Sequence, residues 1–168
     1  MLLKRFFLEQ LEREATAARK VVERVPEGQN GWKPHERSME LGYLSALVAT
    51  MPGWPAMMID RDELDLNDST GATFRTKTVE SRDELLRLLD EGLEKSRKAL
   101  EDTTEAHLMS CWRLKMDDQV LTEGPRYVMI ADGALGHLAH HRGQLTVYLR
   151  LNEAKVPAIY GPSADEWH

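Results

Sequence analysis

The chain contains one cysteine, Cys111. That excludes an intrachain disulfide and fits a reducing compartment. It has no long uncharged apolar run: Leu2, Leu3, Phe6 and Phe7 are followed at once by Glu9, Glu12 and Glu14. Neither a membrane span nor a secretory leader is read from that pattern, and the expected location is the cytoplasm. A basic excess is also missing. The 22 Lys and Arg residues face 28 Asp and Glu, for a formal net charge of −6, which argues against a general nucleic-acid footprint. There is no glycine-rich phosphate loop, no Gly-x-Ser-x-Gly elbow and no Cys-x-x-Cys pair. The common signatures of phosphoryl transfer, acyl transfer and dithiol chemistry are therefore absent.

What is present is helical patterning. At 168 residues the chain is of single-domain size and can bury a core without disulfides. Leu3, Phe6, Phe7, Leu11, Ala15, Ala18, Val21, Val22 and Val25 form an apolar stripe that Pro26 and Gly28 stop. A polar loop carrying Trp32 comes next. Ser38 is placed to cap a second helix that runs from Met39 through Leu44, Leu47 and Met51, and Pro52 and Pro55 kink or restart it. Residues 60–79 are polar and read as a long loop. Ser81-Arg82-Asp83-Glu84 is a capping box that opens a third helix, with Leu85, Leu89, Leu93 and Leu100 on one side, ending near Asp102 and Thr103. Alternation around Asp117-Asp118 suggests a short hairpin over 112–121. Pro125 suits the first turn of a fourth helix reaching Leu151. Such stripes can bury themselves only against each other, so the pattern predicts one all-α domain over residues 1–168, a four-helix bundle.

The run His137-Leu138-Ala139-His140-His141-Arg142-Gly143-Gln144 carries the chemistry. His137 and His141 stand four residues apart and share a helix face. Two neutral imidazoles stacked in this way can hold one divalent cation. The plainer reading is two ordinary helix histidines, one at the surface and one hydrogen-bonded inside. His140 is turned about 100° from His141 and fits a carboxylate partner or a neighbouring subunit better than the same ligand shell. Gln144, three residues beyond His141, is a candidate to support an imidazole N–H, and Arg142 flanks the pair. Gly136 and Gly143 bracket the histidines at a cost in helix stability of about 1 kcal/mol each, which suggests close approach of a backbone or ligand. Cys111 is expected to be a buried structural thiol and His107 an exposed turn residue. His35 is placed in turn packing, and His168 ends the chain. The Met51, Trp54, Met57 and Met58 cluster reads as core or subunit interface.

The segment from His137 to Arg150 resembles the last-helix motif of the DinB/YfiT-like superfamily, damage-inducible helical proteins regarded as metalloenzymes. Pro34-His35-Glu36-Arg37-Ser38-Met39 with Leu41-Gly42 is similar to the entry of that family's second helix. Pro52-Gly53-Trp54 resembles its kink, and the stretch from Val156 to Glu166 resembles its C-terminal segment. The resemblance implies a bundle with a long crossover between helices 2 and 3, and a homodimer. It implies a divalent metal, nickel or zinc, held by three histidines, two of them at His137 and His141. The implied activity is that of a hydrolase or a transferase dependent on a low-molecular-weight thiol. The third histidine of the pattern falls at Leu47, which cannot bind a metal. The resemblance therefore leaves two readings: a metal-dependent enzyme with an incomplete triad, or a metal-free bundle that binds a ligand or partner.

Overall fold

A computed structural model describes residues 2–67 and 76–167. His168 and the part of the expected loop at 68–75 lie outside the described residues. The first helix, α1 (Leu3–Val22), buries Phe7, Leu11, Ala15, Ala18 and Val22. Its stop is explained by Pro26, whose ring would strike the carbonyl of Val22. The second helix, α2 (Leu41–Thr50), is buried nearly all round, as befits an element enclosed by others. It starts two residues after the expected Met39, and Ser38 does not cap it. Its first N–H groups are satisfied by the preceding loop instead: the Trp32 carbonyl accepts from Leu41 N–H at 2.8 Å and the Asn30 carbonyl from Gly42 N–H at 2.9 Å.

Pro52 and Pro55 break the next stretch into a 3₁₀ turn (Met51–Gly53) and a short helix, α3 (Trp54–Asp60). Helix α4 (Arg82–Asp102) begins at Ser81, whose hydroxyl accepts from Glu84 N–H at 3.2 Å; this is the cap the sequence specifies. A further short helix, α5 (Glu105–Met109), occupies the expected turn around His107. The last helical stretch has three parts: α6 (Arg126–Met129), a π-helical segment (Ile130–Gly136) and α7 (His137–Leu151). Helix α4 packs against α1, α2 and α3, and α7 packs against α1 and α2.

The all-α expectation needs correction. The fold is mostly helical but includes a three-stranded sheet of order β1-β2-β3: β1 (Glu63–Asp65), β2 (Cys111–Met116) and β3 (Gln119–Pro125). Strands β2 and β3 form the expected hairpin, with Asp117 at the turn in the left-handed region (φ 53°). Strand β1 comes from the segment read as loop and pairs parallel to β2. Three residues of mixed polarity give no alternation long enough to read. Asp65 secures the pairing across the sheet, because its carboxylate accepts from Asp117 N–H at 3.0 Å. The count of four helices also fails among the described residues, since proline and the π segment subdivide two of the expected helices and α5 is added.

Two buried arginines tie the elements together. Arg126 donates to the Met58 carbonyl, to the Arg61 carbonyl at 2.6 Å and to the Asp62 carboxylate at 2.6 Å. The first two belong to the end of α3, where helix carbonyls lack intrahelical partners. His107 donates to another of them, the Ile59 carbonyl, at 3.0 Å, and is half-buried rather than exposed. Arg142 is buried against Glu14 of α1, with an ion pair at 2.8 Å. It also donates to the Glu14 carbonyl at 3.1 Å and to the Tyr160 hydroxyl, which in turn donates to Glu14 at 2.7 Å. The C-terminal segment carrying Tyr160 is clasped to the helices through Arg150–Asp165 at 2.5 Å and Arg24–Glu166. Cys111, expected to be buried, is exposed, because the neighbouring Trp112 takes the inward face of β2.

The tightest backbone approach is between Gly53 and Gly92 of α4: a Cβ on Gly92 would stand 2.9 Å from Gly53 N. Around Gly143, by contrast, nothing lies within 4 Å of where a Cβ would stand, so it does not mark the close approach expected there. Gly92→Ala is expected to cost about 1–3 kcal/mol in urea unfolding through overpacking, against its gain in helix propensity. Gly143→Ala should stabilise by up to about 1 kcal/mol. Glu14→Ala, which leaves Arg142 buried without its carboxylate, should cost about 3–5 kcal/mol in the same measurement.

Candidate functional site

The π segment sets the site. A π turn carries one residue more than an α turn and shifts the hydrogen-bond register. Here the backbone N–H of His137 is directed to the carbonyls of Asp132 and Ala134 and skips that of Gly133. The Gly133 backbone draws the His137 pKa upward, against the larger effect of burial. One turn on, His141 is buried and its Nδ1 lies 2.7 Å from Gln144 Oε1. An amide oxygen only accepts, so His141 Nδ1 carries its proton and Nε2 is a bare lone pair. That Nε2 stands 2.8 Å from His137 Nε2. That is a hydrogen-bond distance, and with His141 protonated at Nδ1 it is His137 Nε2–H that donates to the bare Nε2 of His141.

The pair closes one end of a cavity of about 440 Å³ enclosed by α2, α3, the sheet and the π segment. Its walls are apolar: Leu47, Trp54, Met57, Met58 and Trp112 contribute, with Tyr43 and Met39 at the α2 side. Trp54 meets the His137 ring edge to face at 5.5 Å. The register Leu64↔Leu114↔Thr122 sets one residue of each strand in a row across the sheet, and all three line the cavity. The Met and Trp cluster is thus divided: Met51 is in the core, whereas Trp54, Met57 and Met58 face the cavity. Helical spacing of Trp54, Met57 and Met58 is the signal that could have placed them together; the strand residues had none, because pairing in a sheet is not local.

The structure brings His137 and His141 together as the sequence predicts and gives Gln144 its supporting role. Arg142 is turned away from them into its pair with Glu14. His140 is exposed, with its ring 5.0 Å from that of His141 and 6.4 Å from that of His137. Leu47 lines the cavity beside the pair. Among the described residues no group of three His, Cys, Asp or Glu side chains is arranged to hold a metal ion. Two imidazoles fall short of the three protein ligands usual for catalytic zinc. Their 2.8 Å separation is a hydrogen-bond distance, shorter than the roughly 3.3 Å between two nitrogens on one tetrahedral zinc. The residues present therefore do not fit a complete three-histidine centre.

Burial depresses the pKa of His137, aided by the charge of His141, and burial likewise depresses that of His141 against the opposing pull of Gln144. A histidine held neutral in the folded state binds fewer protons there than when unfolded, so stability rises with pH. The contribution is complete above the unfolded value near 6.5 and is lost as pH falls from there through the folded values. Thermal unfolding followed between pH 7.5 and 5 should show falling stability. The fall should be smaller in the double variant His137→Ala, His141→Ala.

No family model matches the sequence. A 31-residue segment, 18% of this chain and 19% of its counterpart, is 55% identical to the uncharacterised protein YrdA of Bacillus subtilis. Two solved structures are similar over most of the chain. A DinB-like protein from Bacillus cereus aligns with a TM-score of 0.71 at 17% identity, covering 92% of this chain and 95% of its own. A DinB-like protein from Bacillus subtilis aligns with a TM-score of 0.63 at 20% identity, covering 89% and 94%. No helix among the described residues is long and apolar enough to cross a membrane. Helices, sheet and site are thus arranged on the fold of the DinB-like proteins.

Proposed function

We propose that this chain is a small-molecule-binding protein on the DinB-like fold, in which the His137–His141 pair is the polar end of an apolar cavity and Leu47 replaces the third metal ligand of the family pattern. One observation carries the reading: Leu47 stands with the two histidines in a cavity walled by Trp, Met and Leu side chains. An apolar, enclosed space with a few convergent polar groups is the usual form of a small-molecule site. The acidic chain carries no basic stripe for nucleic acid. Val147 and Leu151, one turn apart and both exposed on α7, support the homodimer that the resemblance implies.

A second reading is favoured by the two converging Nε2 atoms. In it the chain is a divalent-metal-dependent enzyme, a hydrolase or a thiol-dependent transferase. His137 and His141 would hold nickel or zinc, and the ion would supply a Lewis acid. Titration of untagged protein with each metal separates the two. The binding reading expects no stoichiometric tight site in the native chain and a new one in Leu47→His, which restores three imidazoles. Tight stoichiometric binding by the native chain, lost in His137→Ala and in His141→Ala, would establish the metal reading instead.

A further inference from the structure

The cavity beside the histidines carries no fixed charge. The chain as a whole is 30% charged, yet among the described residues no Asp, Glu, Lys or Arg lines this space. Arg142, next in the chain to His141, is turned to Glu14 instead. The histidines do not supply a counter-charge either. His141 Nδ1–H goes to Gln144 and His137 Nε2–H to His141 Nε2, so the facing nitrogens satisfy each other. An ion drawn into such a space would lose its hydration and find no opposite charge, which is costly.

The walls also have a preference among uncharged molecules. Met39, Met57, Met58 and Met129 line the cavity, half of the eight methionines in the chain. Thioethers make favourable contacts with aromatic rings, and the unbranched side chain adapts to their shape. Gly133 of the π segment leaves space for one of them: a Cβ there would stand 3.2 Å from Met58 Cε. Trp54 already meets the His137 ring edge to face at 5.5 Å, and Tyr43 adds a further aromatic wall. Aromatic pairs gain energy beyond the area they bury, whereas a saturated hydrocarbon gains burial alone. A cavity of about 150 Å³ takes benzene, so about 440 Å³ accommodates two fused rings.

We propose that the cavity selects uncharged aromatic molecules and excludes ions, with the ring seated among the methionine thioethers and Trp54. The proposal rests on the reading of the cavity as a small-molecule site and adds the class of ligand.

The test is isothermal titration calorimetry of the full chain with a chelator present. Three probes share one ring system and differ in charge: 2-naphthylmethanol, 2-naphthoate and 2-naphthylmethylammonium. A fourth, decahydro-2-naphthylmethanol, is the saturated counterpart of the first. The expected result is one site for 2-naphthylmethanol, at least about tenfold tighter than for either ion and about threefold or more tighter than for the saturated alcohol. Leu47→Lys sets a cation on the wall, and 2-naphthoate should then bind at least about tenfold tighter than it does to the native chain. If that variant loses its helical circular dichroism, Met129→Lys, at a half-buried wall position, carries the same expectation. Native binding of either ion as tight as that of 2-naphthylmethanol would overturn the exclusion of charge and leave the cavity a binding site. Equal binding of the saturated alcohol would overturn the aromatic preference. Unchanged 2-naphthoate binding in a folded lysine variant would place the probes outside this cavity and overturn the proposal. If none of the probes bound, the small-molecule reading of the cavity would fall with it.

Discussion

The buried ion pair between Arg142 and Glu14 fixes how α7 is rotated about its own axis, and the site depends on that rotation. A guanidinium that is 1% exposed cannot be moved from its carboxylate without leaving a charge unpaired in the interior. Adjacent residues on a helix project about 100° apart, so anchoring Arg142 on α1 aims His141 into the cavity. Tyr160 completes the pair from the C-terminal segment, with its ring 5.1 Å from the guanidinium carbon of Arg142. The clasp formed by Asp165 and Glu166 thereby serves the same end.

Arg126 does for the other wall what Arg142 does for α7. By taking up the last carbonyls of α3 it holds a seven-residue helix that has little stability of its own. Met57 and Met58 on that helix are cavity walls. The same guanidinium reaches Asp62, one residue ahead of β1, so sheet, α3 and the start of the last helical stretch are joined at one buried group. Between the two arginines lies the π segment, whose irregular register turns the His137 N–H to the carbonyls of Asp132 and Ala134.

The capping box at Ser81, the proline stops and the helical stripes were legible because each is a local interaction between residues a few positions apart. The pairing of His137 with His141 and the support from Gln144 were legible for the same reason, as contacts one turn apart on one helix. Strand β1 was not, since its partners lie about fifty residues away and it adds too few residues for a period to emerge. Nor was the exposure of Cys111, which depends on which face of β2 meets the core. Of the glycines beside the histidines, Gly143 has open space around it, whereas Gly136 stands close to backbone, a Cβ there lying 3.2 Å from the Ala131 carbonyl oxygen; a tighter approach is that of Gly53 and Gly92. A glycine shows its cost in sequence and its reason only in packing.

Helical period and side-chain chemistry are enough to establish that two imidazoles share a face, that Gln144 can reach one of them, and that Leu47 stands where a third histidine would complete the family pattern. Packing in three dimensions was needed for the rest. It sets that pair, His141 buried and His137 exposed, on one apolar cavity with Leu47, Trp54, Met57, Met58 and the inner face of the sheet, and brings the two Nε2 atoms within 2.8 Å. The physical reason is that a cavity and the direction of a lone pair are set by what packs around a helix, and no spacing along the chain encodes them.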